Sequence, residues 1–163
     1  MIENKSATLF LAAVGLVLIV TTAGCIDSCL WGGLEKAEIT DPTDGQDVKN
    51  AYTVHGTTEG DICEDSHLWL FVGLDPESLW WPQGGGSITP REDGKWSKSA
   101  LFGGGPDVDI GKEFQIVLLL VDEDVNEDLN DWVKKGKLTN DWPGMNLPPG
   151  EEFDRIDVIR IKG

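Results

Sequence analysis

Residues 68–86 read LWLFVGLDPESLWWPQGGG, and this stretch decides the fold. It opens with an almost continuous apolar run, Leu68–Leu74, in which leucine and valine alternate with tryptophan and phenylalanine. Successive side chains of a strand point to opposite faces, so this strand is apolar on both faces. A strand of that kind is covered on both sides. The sequence therefore predicts a central strand with a packed layer on each face.

A second long apolar run, Lys112–Asp122, predicts another buried strand beside the first. Shorter strand patterns, separated by Gly, Pro and Asp turn signals, occur at Lys36–Thr40, Ala51–Thr57, Lys95–Leu101 and Phe153–Ile161. Short strands at this spacing are typical of an antiparallel sandwich, with about seven strands expected. The alternation slips between Val158 and Ile159, which predicts a bulge or a strand covered on both faces.

The hydrophobic period changes after the second apolar run. Val125, Leu129, Trp132 and Val133 recur at helical spacing. Asp124 is placed to cap the start of a helix, and lysines crowd its end, which suits the helix dipole. The sequence predicts one inserted α-helix near residues 124–137, between the last two strands.

The N-terminal residues carry an export pattern. A short polar start precedes the apolar run Leu9–Val20 and small residues up to Cys25, an order typical of a signal peptide. Residues 22–25, TAGC, resemble a lipoprotein lipobox, although the first position departs from the usual leucine. The resemblance implies that Cys25 is lipidated after cleavage. An uncleaved membrane anchor over Ala7–Ala23 and free secretion are the alternatives, and all three place residues 26–163 outside the cytoplasmic membrane.

The chain divides into a signal peptide or membrane anchor at 1–24, a tether at 25–35 and one folded domain at 36–163. It carries 29 acidic and 13 basic side chains, a net charge of -16. Nucleic-acid binding needs a basic face, and docking on anionic headgroups needs a polybasic patch, so both are excluded. The predicted partners are the membrane, through the N-terminal anchor, and a surface glycan or protein.

A series of motifs resembles Ig-like modules of bacterial and archaeal surface proteins. ITDPTDGQDV at 39–48 resembles their first strand and turn, and TVHGTTEG at 53–60 resembles their second strand. LWLFVGL, WWPQGG, DGKWS and GKEFQIVLLL follow in the order found in one subset of these modules. The resemblance covers residues 38–121. It implies an exported antiparallel Ig-like sandwich with a binding, adhesion or structural role at the cell surface and no catalysis.

Two cysteines, Cys29 and Cys63, remain if Cys25 carries lipid. An oxidising exterior favours a disulfide between them, which would tie the tether to the loop before the central strand. Two free thiols are the alternative. No Cys-x-x-Cys motif or histidine cluster accompanies them, which disfavours a zinc site.

Three of the seven tryptophans, Trp80, Trp81 and Trp142, lie in predicted turns beside prolines. Aromatic planes on a sandwich bind sugars because the faces of sugars are apolar, so these three form a candidate carbohydrate site. The alternative is that the rings pack under the helix, where a large aromatic contributes roughly 3–5 kcal/mol to stability.

An acidic cluster is the candidate metal site, formed by Asp122, Asp124, Asn126 and Asp128. The alternation matches the first half of an EF-hand loop, but Glu127 and Val133 stand where that loop needs glycine and glutamate. A looser Ca²⁺ site, with Asp107 or Asp109 added, is the sole cofactor hypothesis.

Catalysis is not predicted. His55 and His67 have no nucleophile turn to partner them, and the many carboxylates come without a cleft signal. A calcium-dependent module or an enzyme that uses residues 122–128 is the alternative function.

Overall fold

The computed structural model describes residues 33–74 and 79–163. Over these residues the chain is mainly β, with eight strands in two sheets and one helix. The elements are β1 (Leu34–Asp41), β2 (Gln46–Val48), β3 (Ala51–Gly60), β4 (Ser66–Gly73), β5 (Trp80–Pro82), β6 (Lys95–Leu101), β7 (Glu113–Asp122), α1 (Glu123–Thr139) and β8 (Glu151–Arg160). The β-rich class and the inserted helix are therefore confirmed.

The two sheets have different sizes. The first has the order β1-β3-β6 and is antiparallel throughout. The second has the order β2-β8-β7-β4-β5, with β2 parallel to β8 and the other pairs antiparallel. The chain passes from the first sheet to the second at the cis peptide Asp41–Pro42 and the turn that follows, in which Gly45 has φ 74°. The first part of the chain thus contributes a strand to each sheet.

Strand β4 lies between two apolar cores, as its sequence predicts. Leu68, Leu70 and Val72 point into the core between the two sheets, where they meet Val54, Trp96, Phe114 and Val158. Trp69 and Phe71 point to the other face, where Val117, Leu119, Leu129 and Val133 join them. Helix α1 supplies the last two of these residues, so it covers the outer face of the second sheet. The prediction that β4 is covered on both sides is confirmed.

Helix α1 has caps at both ends. Asp122 Oδ1 accepts a hydrogen bond from the Val125 N–H at 3.0 Å, which satisfies one of the free amides of the first turn. At the other end, Asn140 adopts the left-handed region at φ 55° and donates its N–H to Gly136 O. The prediction of Asp124 as the N-cap was wrong, because the N-cap lies two residues earlier, at Asp122, and Asp124 is in the first turn of the helix.

Strand β8 carries its irregularity at a different place from the predicted one. The register with β7 shifts between Leu118 and Leu119, which pair with Asp154 and Glu152 and leave Phe153 between them. Alternation then continues to the end of the strand, with Ile159 38% exposed between buried neighbours. The slip predicted between Val158 and Ile159 was therefore wrong. The alternation of buried and exposed side chains continues through both residues, because the next buried position is occupied by an arginine, Arg160.

The strands define two ends of the domain. Gly33, residues 61–65, residues 87–94 and the start of α1 lie together, and we call this the tether end. Residues 42–45, residues 102–112, the end of α1 and Gly163 lie at the opposite, distal end.

Candidate functional site

A corner rich in tryptophan joins the end of α1 to strand β5. Trp81 donates its indole N–H to Trp142 O at 2.9 Å, and Trp132 donates its indole N–H to Pro143 O at 3.0 Å. The Trp132 and Trp142 rings lie 5.1 Å apart at 60°. We call Trp81, Trp132 and residues 141–145 the tryptophan corner. The Trp81 and Trp132 rings are thus held by hydrogen bonds from their indole N–H groups to the backbone of the corner.

Two glycines let these rings approach the backbone. A Cβ at Gly136 would lie 2.3 Å from the Trp142 ring, and a Cβ at Gly144 would lie 2.7 Å from the Trp81 ring. Neither distance leaves room for a larger residue. The fold therefore requires glycine at both positions, because the Trp142 ring packs against Gly136 and the Trp81 ring packs against Gly144.

The three predicted sugar-binding tryptophans have different surroundings. Trp80 is 2% exposed, packs in the core under α1, and has the Arg155 guanidinium 5.2 Å from its ring centre. Trp81 is half-buried, whereas Trp142 is 40% exposed. The structure thus brings Trp81 and Trp142 together at the surface and places Trp80 in the core.

The predicted acidic cluster contributes to the helix start. Asp122 is the N-cap, and the buried Asn126 accepts a hydrogen bond from the Trp69 indole N–H at 3.1 Å. Asp124 and Asp128 are exposed on α1, at the tether end. Asp107 and Asp109 lie in the loop at the distal end, so the structure does not bring them to this cluster. Within residues 33–74 and 79–163, no group of three or more His, Cys, Asp or Glu side chains is placed to hold a metal ion.

The two histidines lie far apart in the fold. His67 Nε2 lies 2.5 Å from Glu123 Oε2, and this hydrogen bond lowers the pKa of Glu123 below its ordinary value. The contact joins β4 to the first turn of α1. His55 is exposed and lies between Asp41 and Ser97 of the neighbouring strands. The histidines therefore do not share a site.

A buried arginine was missed by the sequence reasoning. Arg160 is fully buried, donates from Nε to Phe102 O at 3.0 Å, and donates from Nη2 to Pro106 O at 2.7 Å. Its Nη1 has no partner among the described residues. The alternation of Ile156, Val158 and Arg160 was the available signal, since it places the arginine on the core face. These hydrogen bonds fix the distal loop to the end of β8.

An open cavity of about 640 Å³ lies at the tether end. One wall is formed by Thr58, residues 60–64, Ser66 and His67, and the other by residues 87–94. Ile62 and Ile88 give it an apolar part, and Thr58, Ser66 and Ser87 bring hydroxyl groups. Its charged and ionisable side chains are of both kinds: the carboxylates of Asp61, Glu64, Glu92 and Asp93, the guanidinium of Arg91 and the imidazole of His67. Cys63 also lines this cavity.

The predicted lipidation and disulfide sites fall mainly outside the described residues. Cys25 and Cys29 both belong to that part of the chain, as does the apolar run of the predicted signal peptide or anchor. In the described part, no helix combines the length and apolar character needed to cross a bilayer. The chain matches no protein-family model and no curated protein sequence.

Proposed function

We propose that the chain is an Ig-like domain held outside the cytoplasmic membrane through lipidated Cys25, where it acts as a binding, adhesion or structural module. The strand arrangement carries the proposal. In Ig-like sandwiches, strands A, B and E face strands C, F and G. β1, β3 and β6 fit the first set, and β4, β7 and β8 fit the second, with β2 beside β8 as a second part of the first strand. Helix α1 is then an insertion between the last two strands.

The placement of the chain ends supports a tethered role. β1 begins at Leu34, within the last two residues of the predicted tether, and enters the fold at the tether end. Exposed large apolar side chains lie toward the other end: Leu79, Leu101, Val108, Ile110, Leu138, Trp142 and Ile159. A domain anchored at its tether end would present these side chains away from the membrane, where a partner can reach them.

The anchor is tested by expressing the full chain with a C-terminal epitope in a bacterial host. The expected product lacks residues 1–24, carries a lipid on Cys25 by intact mass, and loses its epitope when protease is added to whole cells. Cys25→Ser is expected to remove the lipid, whereas the matched change Cys29→Ser keeps it. A cytoplasmic product, or lipid that survives Cys25→Ser, contradicts the proposal.

Glycan binding at the tryptophan corner is the second candidate function. The exposed Trp142 ring beside Trp132 favours it, because the two tilted rings form an apolar surface in which the Trp132 ring is fixed by a hydrogen bond to Pro143 O. A rigid aromatic surface binds with little loss of conformational entropy. Trp80 takes no part, since its ring is covered by α1.

Trp142→Ala is expected to weaken binding of a surface oligosaccharide about tenfold, which corresponds to ~1.4 kcal/mol. Intrinsic fluorescence titration, after a glycan array has identified an oligosaccharide, measures the change. Leu138→Ala is the matched control, because Leu138 is 87% exposed at the same end and carries no ring. Absence of any array signal, or equal loss in both variants, counts against the glycan candidate.

A further inference from the structure

We propose that the outer face of the first sheet carries a binding site for a sugar unit that bears one carboxylate, such as a uronic acid. In this site Arg91 binds the carboxylate, and hydroxyl side chains of the sheet bind the hydroxyl groups of the sugar. The inference rests on the proposed role of the domain as a binding module, because it names the chemical class of a ligand. The site shares no residue with the tryptophan corner.

The site is a second cavity, of about 260 Å³, that extends across all three strands of the first sheet. Clefts that hold drug-sized ligands measure roughly 300–1,000 Å³, so this cavity fits a smaller group. Its lining comes from β1, β3, β6 and the turn before β6, and consists of Thr40, His55, Gly56, Thr57, Arg91, Lys95, Trp96 and Ser97.

Alternation along the strands places the polar side chains of the cavity on the outer face of the sheet. Trp96 belongs to the core between the two sheets, so Lys95 and Ser97 on either side of it point outward. Cross-strand pairing puts Thr57 opposite Lys95 and His55 opposite Ser97. Two rows of polar side chains therefore lie side by side on β3 and β6.

A bulge and a glycine shape the same face. The register of β1 with β3 shifts between Ile39 and Asp41, and Thr40 is the extra residue at this point. A bulge changes the direction of a side chain, and Thr40 lines the cavity. Gly56 lies so close to the Trp96 ring that a Cβ there would overlap the ring, which fixes the spacing of β3 and β6.

The chemistry of the lining points to a ligand rich in hydrogen-bond acceptors. None of the described residues that line the cavity bears a carboxylate, although the chain has 29 acidic and 13 basic side chains. Every polar side chain of the lining can donate a hydrogen bond. These donors are the hydroxyl groups of Thr40, Thr57 and Ser97, the imidazole of His55, the guanidinium of Arg91 and the ammonium of Lys95.

Arg91 is the cation available to an external carboxylate. Its side chain is exposed, and no carboxylate of the described residues lies within 4.0 Å of its guanidinium. Lys95 is already paired with Asp93 at 3.0 Å. The hydrogen bond from Lys95 holds the pKa of Asp93 below its ordinary value, and the charge of Arg91 adds to this effect. A guanidinium presents two parallel N–H groups to a carboxylate, which makes Arg91 the better anchor.

The charge of the protein favours a singly charged ligand. The chain has a net charge of -16, and Asp93 lies beside the cations of the cavity. A phosphomonoester carries about −1.5 to −2 charges at pH 7 and is repelled more strongly than a carboxylate. Charges more than about 8 Å away are largely screened at physiological salt, so the nearby cations can still hold one carboxylate.

The hydroxyl groups favour a sugar over an acidic side chain of a protein. Within the described part of the chain, the hydroxyls of Thr40, Thr57 and Ser97 form no hydrogen bond to another residue, so each is available to a ligand. A sugar unit carries several hydroxyl groups next to its carboxylate and can use all three. An aspartate or glutamate side chain has only its carboxylate to offer.

The test uses the full chain, purified from membranes in detergent and titrated with glucuronate or with glucose, its neutral counterpart. Saturation-transfer NMR measures binding, and glucose is expected to bind at least about tenfold more weakly than glucuronate. Arg91→Ala is expected to weaken glucuronate binding at least about tenfold, and Thr57→Val about threefold. Lys162→Ala is the matched control, because it removes one exposed positive charge beside the distal Gly163 and is expected to leave binding unchanged.

Each outcome bears on the site. Glucuronate that does not bind, or that binds the Arg91→Ala and wild-type proteins equally, overturns it. Acetate that binds as tightly as glucuronate overturns the sugar and indicates a carboxylate of a protein partner instead. Glucuronate binding lost in Trp142→Ala but kept in Arg91→Ala overturns this site while supporting glycan binding at the tryptophan corner. The intact mass of the same sample reports lipid on Cys25, so a failure of the anchor is seen separately.

Discussion

Trp69→Ala is expected to lower the free energy of unfolding by about 3–5 kcal/mol, much of the stability of a domain this size. Trp69 is fully buried between β4 and α1. Its removal leaves a large cavity and also removes one of the two hydrogen bonds that the buried Asn126 Oδ1 accepts, the other coming from Asn130. Urea unfolding of the wild-type and variant proteins, followed by circular dichroism, measures the difference.

Leu138→Ala is the control for this measurement. Leu138 is 87% exposed, so its truncation is expected to change the free energy of unfolding by less than about 0.5 kcal/mol. Trp69→Phe separates the two contributions, because it keeps most of the ring and removes the indole N–H. A Trp69→Ala protein with the wild-type urea midpoint would contradict the burial of β4 on its helix side.

Arg160→Ala is expected to cost about 3 kcal/mol in the free energy of unfolding. Two short charge-assisted hydrogen bonds, to Phe102 O and Pro106 O, are lost together, and the fully buried site is left with an empty volume. Thermal unfolding is expected to show a lower midpoint. Protease sensitivity of the distal loop is expected to rise, since Arg160 holds that loop to β8.

Arg91→Ala is the matched arginine control. Arg91 is exposed at the tether end, so its truncation is expected to change the free energy of unfolding by about 0.5 kcal/mol or less. The Arg160 variant should therefore be the less stable of the two by a clear margin. Equal stability of the two variants would show that the buried guanidinium contributes no more than a surface one.

Local sequence pattern was enough for the main elements of the fold. Two patterns could be read from the order of side chains alone. These are the apolar character of both faces of β4 and the change to helical spacing after β7. The short strand β2 was not predicted, because three residues, Gln46–Val48, carry no local signal and are made a strand by pairing with β8. That pairing depends on residues more than a hundred positions away in the chain.

The candidate site was predicted only in part, because two adjacent residues can have opposite surroundings. Trp80 and Trp81 are neighbours in β5, so they point to opposite sides. Which of them meets the helix depends on the register with β4, in which Gly73 pairs with Trp80. Gly73 leaves room for the Trp80 ring, whose nearest atoms would be 2.8 Å from a Cβ at that position. Sequence alone does not give this register.

The acidic cluster shows why a spacing match can mislead. A helix N-terminus favours acids and amides for its own amides and dipole, and these residues also occur at alternate positions in calcium loops. Asp122 and Asn126 are explained by the cap and by the Trp69 indole. The same residue types thus satisfy two kinds of pattern, and only the contacts distinguish them.

The parallel pairing of β2 with β8 has a mechanical consequence. Leu34 lies at the tether end and Gly163 at the distal end, so a stretching force applied between these two residues is directed along the strands. Three residue pairs join β2 to β8: Gln46 with Val158, Asp47 with Ile159 and Val48 with Arg160. Their hydrogen bonds lie across the direction of force and are loaded in shear, together rather than one after another. This short ladder is therefore expected to resist mechanical unfolding of the domain under such a force.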